Sequence, residues 1–221
     1  MREIIKKLEG KNVCLVGNST ALLNLNKGEE IDSYDVVCRI NLGWDVSSHR
    51  KALGDKVNIL FINSYYSQFG KPDSFHELKN QNVKKLSLDV AKTLHSKYKT
   101  LFCQVSSVNK KGGEFTISKF PLNIREKCYY FPDGNRRQCE VKYEIEPSCG
   151  LQIIHYLIEY NPDIVSSLHL YGFDFKQTPT FYHKKEWGEE LKEKGERHNY
   201  DREKTIVRRL IKNNPNKLFL H

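Results

Sequence analysis

The chain has 221 residues, of which 38% are hydrophobic and 11% aromatic. This size and apolar content are typical of one folded domain and exclude a disordered or low-complexity chain. No run approaches the ~18 apolar residues that a membrane-spanning helix needs, and the charged N-terminus is unlike a signal or transit peptide. The net charge of +9 favours an anionic partner: nucleic acid, an anionic membrane surface or an anionic small substrate. We expect a soluble, cytoplasmic protein, or one held peripherally at the inner face of a membrane.

The cysteines give no sign of a metal centre. None lies in a Cys-x-x-Cys pair, and no histidine lies near one at the interval of a zinc site. Cysteines inside apolar runs usually act as small hydrophobic residues. We therefore expect six reduced thiols, at Cys14, Cys38, Cys103, Cys128, Cys139 and Cys149.

Apolar runs alternate with helical patterns along most of the chain. Runs rich in β-branched and aromatic residues predict strands at 11–16, 35–40, 57–62, 101–105, 168–173 and 218–220, with a strand-like segment at 83–88. Apolar residues at helical spacing predict helices at about 73–79 and 90–98, from 147 onward, and at 202–212. This alternation predicts an α/β fold, in which a mostly parallel sheet has helices on both faces. We expect one domain over residues 1–221.

The segment at about 106–146 shows neither periodicity. It contains Gly112-Gly113, Asp133-Gly134 and two prolines, which are turn signals. A connection of this length inside a compact domain is usually a functional loop. We therefore predict an irregular insertion there.

Several common catalytic motifs are absent from the sequence. It has no GxGxxG dinucleotide fingerprint, no Walker A loop, no GxSxG nucleophile elbow and no HExxH zinc motif. It also lacks Asp-x-Asp, the carboxylate pair that could hold a metal on a nucleotide diphosphate. These absences argue against most hydrolases and nucleoside triphosphatases, and we expect neither a metal nor a cofactor.

Small and polar residues follow predicted strands and open one predicted helix. Gly17-Asn18-Ser19 follows the first strand, Asn41 ends the second, and Gly172-Phe173 ends a late strand. Ser148-Cys149-Gly150 opens a helix. Ligands of open α/β sheets bind at the carboxyl ends of the strands, and the free N–H groups of a helix N-terminus suit a phosphate. Each signal is common loop chemistry by itself, and the four together favour a ligand site at this edge of the sheet.

These segments, in this order, resemble the motifs of the eukaryotic-type sialyltransferases. VGNS and IDSYDVVCRIN resemble the large sialylmotif, and PSCGL through YGF resembles the small sialylmotif. Tyr182-His183 resembles the third motif, although Lys184-Lys185 stands where an aromatic pair is usual. His198 and Glu203 match the very short motif. The chain is similar to a short bacterial or viral relative of this family.

The resemblance implies a Rossmann-like glycosyltransferase that moves a sialic acid from CMP-sialic acid to a sugar hydroxyl, with inversion and without a metal. Its partners would be the CMP-sugar donor and a glycan acceptor (an oligosaccharide, a glycolipid or a surface polysaccharide), with peripheral membrane contact as an option and no nucleic acid. The insertion would form a lid or an acceptor wall. A monophosphate leaving group carries less charge than a diphosphate, so helix dipoles and His or Lys donors can suffice in place of a metal.

The resemblance also implies roles for single residues. His198 would be the general base, which suits imidazole because it exchanges a proton near neutral pH. His183 would hydrogen-bond the departing phosphate beside Tyr182, and Glu203 would give structural support from the first turn of the last helix. The donor nucleotide would contact Gly17, Asn18, Ser19, Asn41, Ser148, Cys149, Gly150, Gly172 and Phe173.

Two other functions stay open on the residues alone. A transferase for another CMP-activated keto-sugar, such as 3-deoxy-octulosonate, would bind CMP but prefer a different donor. A basic module for nucleic acid or another polyanion would bind with a steep salt dependence and would not bind CMP.

Overall fold

One parallel sheet organises the protein. The computed structural model describes residues 1–63, 86–105, 122–181 and 198–221. Within these ranges seven strands form a sheet in the order β5-β4-β3-β2-β1-β6-β7, with every pairing parallel. The strands are β1 (Lys11–Val16), β2 (Val36–Ile40), β3 (Ile59–Ile62), β4 (Leu101–Gln104), β5 (Cys128–Tyr130), β6 (Val165–Tyr171) and β7 (Leu218–Leu220). The predicted α/β class and parallel sheet are confirmed.

Helices cover both faces of this sheet. The α-helices are α1 (Arg2–Leu8), α2 (Gly28–Ser33), α3 (Arg50–Leu53), α4 (Leu88–Tyr98), α5 (Leu122–Arg125), α6 (Asp133–Tyr143), α7 (Cys149–His155) and α8 (Tyr200–Asn213), with a 3₁₀ turn at Thr20–Asn24 and a π-helical turn at Tyr156–Tyr160. On one face α1, α6, α7 and α8 share a core with alternate strand residues such as Val13 and Leu15. On the other face α2 to α5 cover the intervening residues, such as Cys14 and Val16.

The double covering explains why the strands could be located from the sequence. Strands buried on both faces read as continuous apolar runs rather than as alternating patterns.

The six cysteines are free thiols, as predicted. Among the helices of the described ranges, none has the length and apolar character needed to cross a membrane.

The predicted irregular insertion at 106–146 is wrong for its second part. Residues 106–121 lie outside the described residues, but 122–146 contains α5, β5 and α6. The buried face of α6 consists of Asn135, Cys139 and Tyr143, spaced four residues apart. This face is narrow and begins with a polar residue, which hid the helical period. The predicted helix at 73–79 and most of the strand-like segment at 83–88 also lie outside the described residues.

The strand order reverses direction between β1 and β6. From β1 to β5 the chain adds strands in one direction, toward one edge of the sheet. It then returns to place β6 on the other side of β1, so β1 pairs with both β2 and β6. In register, Val16 lies opposite Arg39 on β2 and Tyr171 on β6. Because parallel strands end at the same edge, the segments after these three residues meet there. Such a topological switch point is where open α/β sheets bind ligands.

Arg39 is a fully buried cation in the middle of the sheet. Its guanidinium donates to the carbonyl oxygens of Leu53 at 2.6 Å and Lys56 at 2.9 Å, with the carbonyl oxygen of Gly43 at 3.4 Å. Burial lowers the pKa of Arg39 to about 10, so the side chain stays charged at neutral pH. Arg39 thus holds together the two connections that flank α3, rather than facing a ligand.

We predict that Arg39→Met lowers the free energy of unfolding by about 3 kcal/mol, because it leaves buried carbonyl groups without their donor. Urea denaturation would measure the change. Arg50→Met is the matched control, since Arg50 is exposed and its ion pair with Asp55 spans 3.7 Å; such pairs contribute at most ~1 kcal/mol. Equal losses in the two variants would contradict the structural role of Arg39.

Candidate active site

Two glycines bring the ends of β1 and β6 into backbone contact. The amide of Gly17 donates to the carbonyl oxygen of Tyr171 at 2.7 Å. A methyl group at Gly17 would lie 2.4 Å from the carbonyl oxygen of Gly172, and Gly172 has a left-handed φ of +68°. Side chains at these positions would force the strand ends apart. Main-chain atoms of Gly17 and Gly172 therefore line the switch point.

We call the edge of the sheet where β1 and β6 end the crevice, and the ring of Phe173 joins it to the start of α7. A methyl group at Gly17 would lie 3.1 Å from the ring, and one at Gly150 would lie 2.8 Å from it. The ring therefore packs against the faces of both glycines. The small-motif segment 148–150 and the Gly17 turn are neighbours in space because of this contact.

Two asparagines fasten the ends of neighbouring strands. The Asn18 side-chain amide donates to the carbonyl oxygen of Ile40 at 3.2 Å, which ties the β1 turn to the end of β2. Asn41 has a positive φ of 52°, a conformation that asparagine tolerates better than most residues. Its Oδ1 accepts from the amide of Asn63 at 2.9 Å, which ties the end of β2 to that of β3.

Ser19 holds the segment after β6 against the turn after β1. Its hydroxyl donates to Asp174 at 2.8 Å, lies 2.8 Å from the Thr178 hydroxyl and accepts from the amide of Ala21 at 3.1 Å. The buried hydroxyl is therefore bonded to groups within the protein. Ser19 thus shapes the crevice through Asp174 and Thr178, two residues that the sequence analysis missed. Asp174 directly after YGF was the available signal.

The start of α8 is bonded to the start of α7 through Glu203. Ser148 caps α7, accepting from the amide of Leu151 at 3.3 Å. The Ser148 amide donates to one Glu203 oxygen at 2.6 Å, and its hydroxyl lies 2.7 Å from the other. Glu203 lies in the first turn of α8, as predicted, and is buried. The sequence did not show that its partner is Ser148.

Burial raises the pKa of Glu203 to about 7, although the two hydrogen bonds from Ser148 act in the opposite direction. Removal of a carboxylate from water disfavours its charged form. The link between α7 and α8 therefore changes its protonation state near neutral pH.

His198 lies five residues before Glu203, just ahead of α8, and bonds the segment that leads into α7. Its Nδ1 is 3.0 Å from the carbonyl oxygen of Glu146. Because a carbonyl can only accept, Nδ1 carries a proton, and Nε2 is the nitrogen that takes up a further one. The imidazole also packs edge-on against Tyr200, with ring centroids 5.8 Å apart.

The structure therefore gathers eleven of the predicted site residues at one edge of the sheet. They are Gly17, Asn18, Ser19, Asn41, Ser148, Cys149, Gly150, Gly172, Phe173, His198 and Glu203. Tyr182 and His183 lie outside the described residues. Within the described part of the chain, no three His, Cys, Asp or Glu side chains form a group that could hold a metal ion.

We predict that the stability of the wild type falls relative to Glu203→Gln as the pH rises from 5 to 8. Glu203 takes up its proton at about pH 7 in the folded protein, against a reference value of 4.5. Its stabilising contribution is thus complete below pH 4.5 and is lost as the pH rises through 7. The loss is about 3 kcal/mol, since one pH unit corresponds to ~1.4 kcal/mol. Denaturant melts at several pH values would measure it, with the exposed Asp201→Asn as control; parallel wild-type and Glu203→Gln profiles would refute it.

Residues 5–215 match glycosyltransferase family 29 (sialyltransferase). The fold is similar to that of a mammalian sialyltransferase crystallised in complex with Gal-beta-1-3GalNAc-ortho-nitrophenol, with a TM-score of 0.61 and 16% identity over 100% of this chain and 77% of that chain. A second mammalian sialyltransferase structure has the same TM-score and identity, with 76% of its chain covered. No curated protein sequence matches the chain. Because the family match spans nearly the whole chain, this protein belongs to glycosyltransferase family 29, the sialyltransferases.

Proposed function

We propose that this sialyltransferase moves a sialic acid from CMP-sialic acid to a sugar hydroxyl, with inversion and without a metal. The observation that carries the proposal is the position of His198. Its Nδ1–H donates to the carbonyl oxygen of Glu146 at 3.0 Å, so Nε2 is the basic nitrogen. This base lies beside the switch point, where α/β sheets bind nucleotides.

The reaction is a single displacement. The acceptor hydroxyl attacks the anomeric carbon on the face opposite CMP, and its proton passes to Nε2 of His198. The bond between the anomeric carbon and the phosphate oxygen breaks, and CMP leaves with the electron pair. A neutral alcohol is a weak nucleophile, so removal of its proton during attack lowers the barrier.

We expect the CMP moiety to lie along the crevice formed by Gly17, Gly150 and Gly172. Open α/β sheets bind their ligands at this point, and the amides at the start of α7 face the same edge of the sheet. Ser19 and Asn41 would position this crevice rather than touch the donor, since both side chains are bonded to other segments.

The remaining parts of the proposal follow from the family motifs. His183, with Tyr182 beside it, would hydrogen-bond the departing phosphate. Since the leaving group is a monophosphate, side-chain donors and helix dipoles would neutralise it without a metal or another cofactor. The acceptor would be a glycan.

We predict that CMP raises the melting temperature far more than AMP or UMP does. At a hundred times its dissociation constant, a ligand stabilises the folded state by about 2.7 kcal/mol.

We also predict that transfer from CMP-sialic acid continues in EDTA. Inactivation by EDTA with rescue by manganese would refute metal independence. Preference for a CMP-octulosonate donor would point to the other keto-sugar transferase, and salt-sensitive polyanion binding without CMP binding would point to the basic module.

We predict that His198→Ala loses turnover by about 10²–10⁴-fold, the usual cost of removing a general base, while CMP affinity stays close to that of the wild type. His198→Asn is the matched variant, because its side-chain amide can still donate to Glu146 but cannot take a proton at neutral pH. Transfer kinetics and CMP titration on both variants would test this. Wild-type turnover in His198→Asn would show that the base lies elsewhere.

A further inference from the structure

The segment after β6 carries two successive non-glycine residues in left-handed conformations. Phe175 has a φ of 56° and Lys176 a φ of 62°. Residues with a side chain avoid this region unless the surrounding structure holds them there. The segment directly follows Gly172 and Phe173, so this unusual backbone lies at the switch point.

Asp174 is the group that holds the left-handed pair. Its carboxylate accepts from the amide of Lys176 at 3.1 Å and from the amide of Thr178 at 2.8 Å. It also accepts from the hydroxyl of Ser19 at 2.8 Å, which anchors it to the turn after β1. The backbone of Lys176 is thus fixed by Asp174, which is itself anchored to the turn after β1.

The same segment is fastened a second time to the turn after β1. The amide of Thr20 donates to the carbonyl oxygen of Pro179, and the amide of Phe181 donates to that of Asn18, both at 3.0 Å. Lys176 therefore lies on a segment that main-chain hydrogen bonds hold next to the proposed donor site.

The Lys176 side chain extends toward the base. Its Nζ lies 6.0 Å from the centre of the Tyr200 ring, and the Tyr200 ring packs against that of His198, with centroids 5.8 Å apart. The ammonium group therefore lies between the β6 side of the crevice and the α8 side.

The proposed donor carries a phosphate and a carboxylate, so a cation in this region would strengthen its binding. Arg39, at the end of β2, cannot serve, because its guanidinium is fully buried and donates to main-chain carbonyls. The Asp174 carboxylate is already bonded to several donors. Lys176 is a cationic side chain that lies beside the switch point and, through Tyr200, close to His198.

We propose that Lys176 binds an anionic oxygen of the CMP-sugar donor, and that Asp174 and Ser19 are its positioning residues. This inference rests on the proposed function. In either case the ammonium group of Lys176 pairs with an oxyanion of the donor, which is the phosphate or the carboxylate of the sugar.

The test compares Lys176→Gln with Lys212→Gln, which removes the same charge from the exposed outer face of α8. Cytidine, CMP and CMP-sialic acid are titrated against each protein by calorimetry. If Lys176 binds the phosphate, Lys176→Gln weakens CMP by about 10–100-fold and leaves cytidine unchanged. If it binds the carboxylate, only CMP-sialic acid weakens by that factor. Lys176→Arg, which keeps the charge, should recover most of the affinity.

Equal affinities of Lys176→Gln and Lys212→Gln for all three ligands would overturn the assignment. Equal losses for cytidine, CMP and CMP-sialic acid would also overturn it, because they would indicate a general disturbance of the crevice. A wild-type protein that binds neither CMP nor CMP-sialic acid would instead reject the proposed function itself.

Discussion

The position of the candidate base depends on the buried carboxylate of Glu203. Its two oxygens meet the amide and the hydroxyl of Ser148 at 2.6 and 2.7 Å. A carboxylate taken out of water is costly unless its oxygens are hydrogen-bonded, and Ser148 supplies both partners. The link connects the N-termini of α7 and α8, so His198 comes to lie against Glu146. Glu203 thus helps to fix the position of His198, the candidate base.

A second constraint acts on the opposite side of the crevice. Asp174 joins the segment after β6 to the turn after β1 through Ser19, and the backbone contact of Gly17 with Gly172 brings the two strand ends together. These contacts are possible because the parallel strands end at one edge and the glycines have no side chain. The ring of Phe173 lies between this side and the start of α7. The site therefore has two independently fastened walls.

Arg39 and Lys176 are both basic residues that follow or end strands at the switch point, but their side chains have different surroundings. Arg39 follows three apolar residues in β2 and points into the protein, where carbonyl oxygens satisfy it. Lys176 follows β6 on a left-handed segment and points across the crevice toward Tyr200. Backbone placement, rather than residue type, decides that Arg39 is buried while Lys176 lies near Tyr200.

Much of the fold and the order of the site segments could be predicted from local pattern. Strand residues buried on both faces appear as apolar runs, so β1, β2, β3 and β4 lie close to their predicted positions. The amphipathic α8 was equally clear. By contrast, α6 was missed because its buried face is narrow and partly polar. The irregular insertion predicted at about 106–146 is therefore wrong over 122–146.

The amino-acid sequence by itself determined the α/β class, the family motifs and the residue types of the site, because these depend on short-range periodicity and spacing. Only the tertiary structure decided which side chains meet. Ser148 and Glu203 are 55 positions apart, and Ser19 and Asp174 are 155 apart. Contacts over such distances depend on the strand order and on how the helices pack over the sheet. Local sequence carries no record of that packing, so the partners of Glu203 and Asp174 emerge only once the chain has folded.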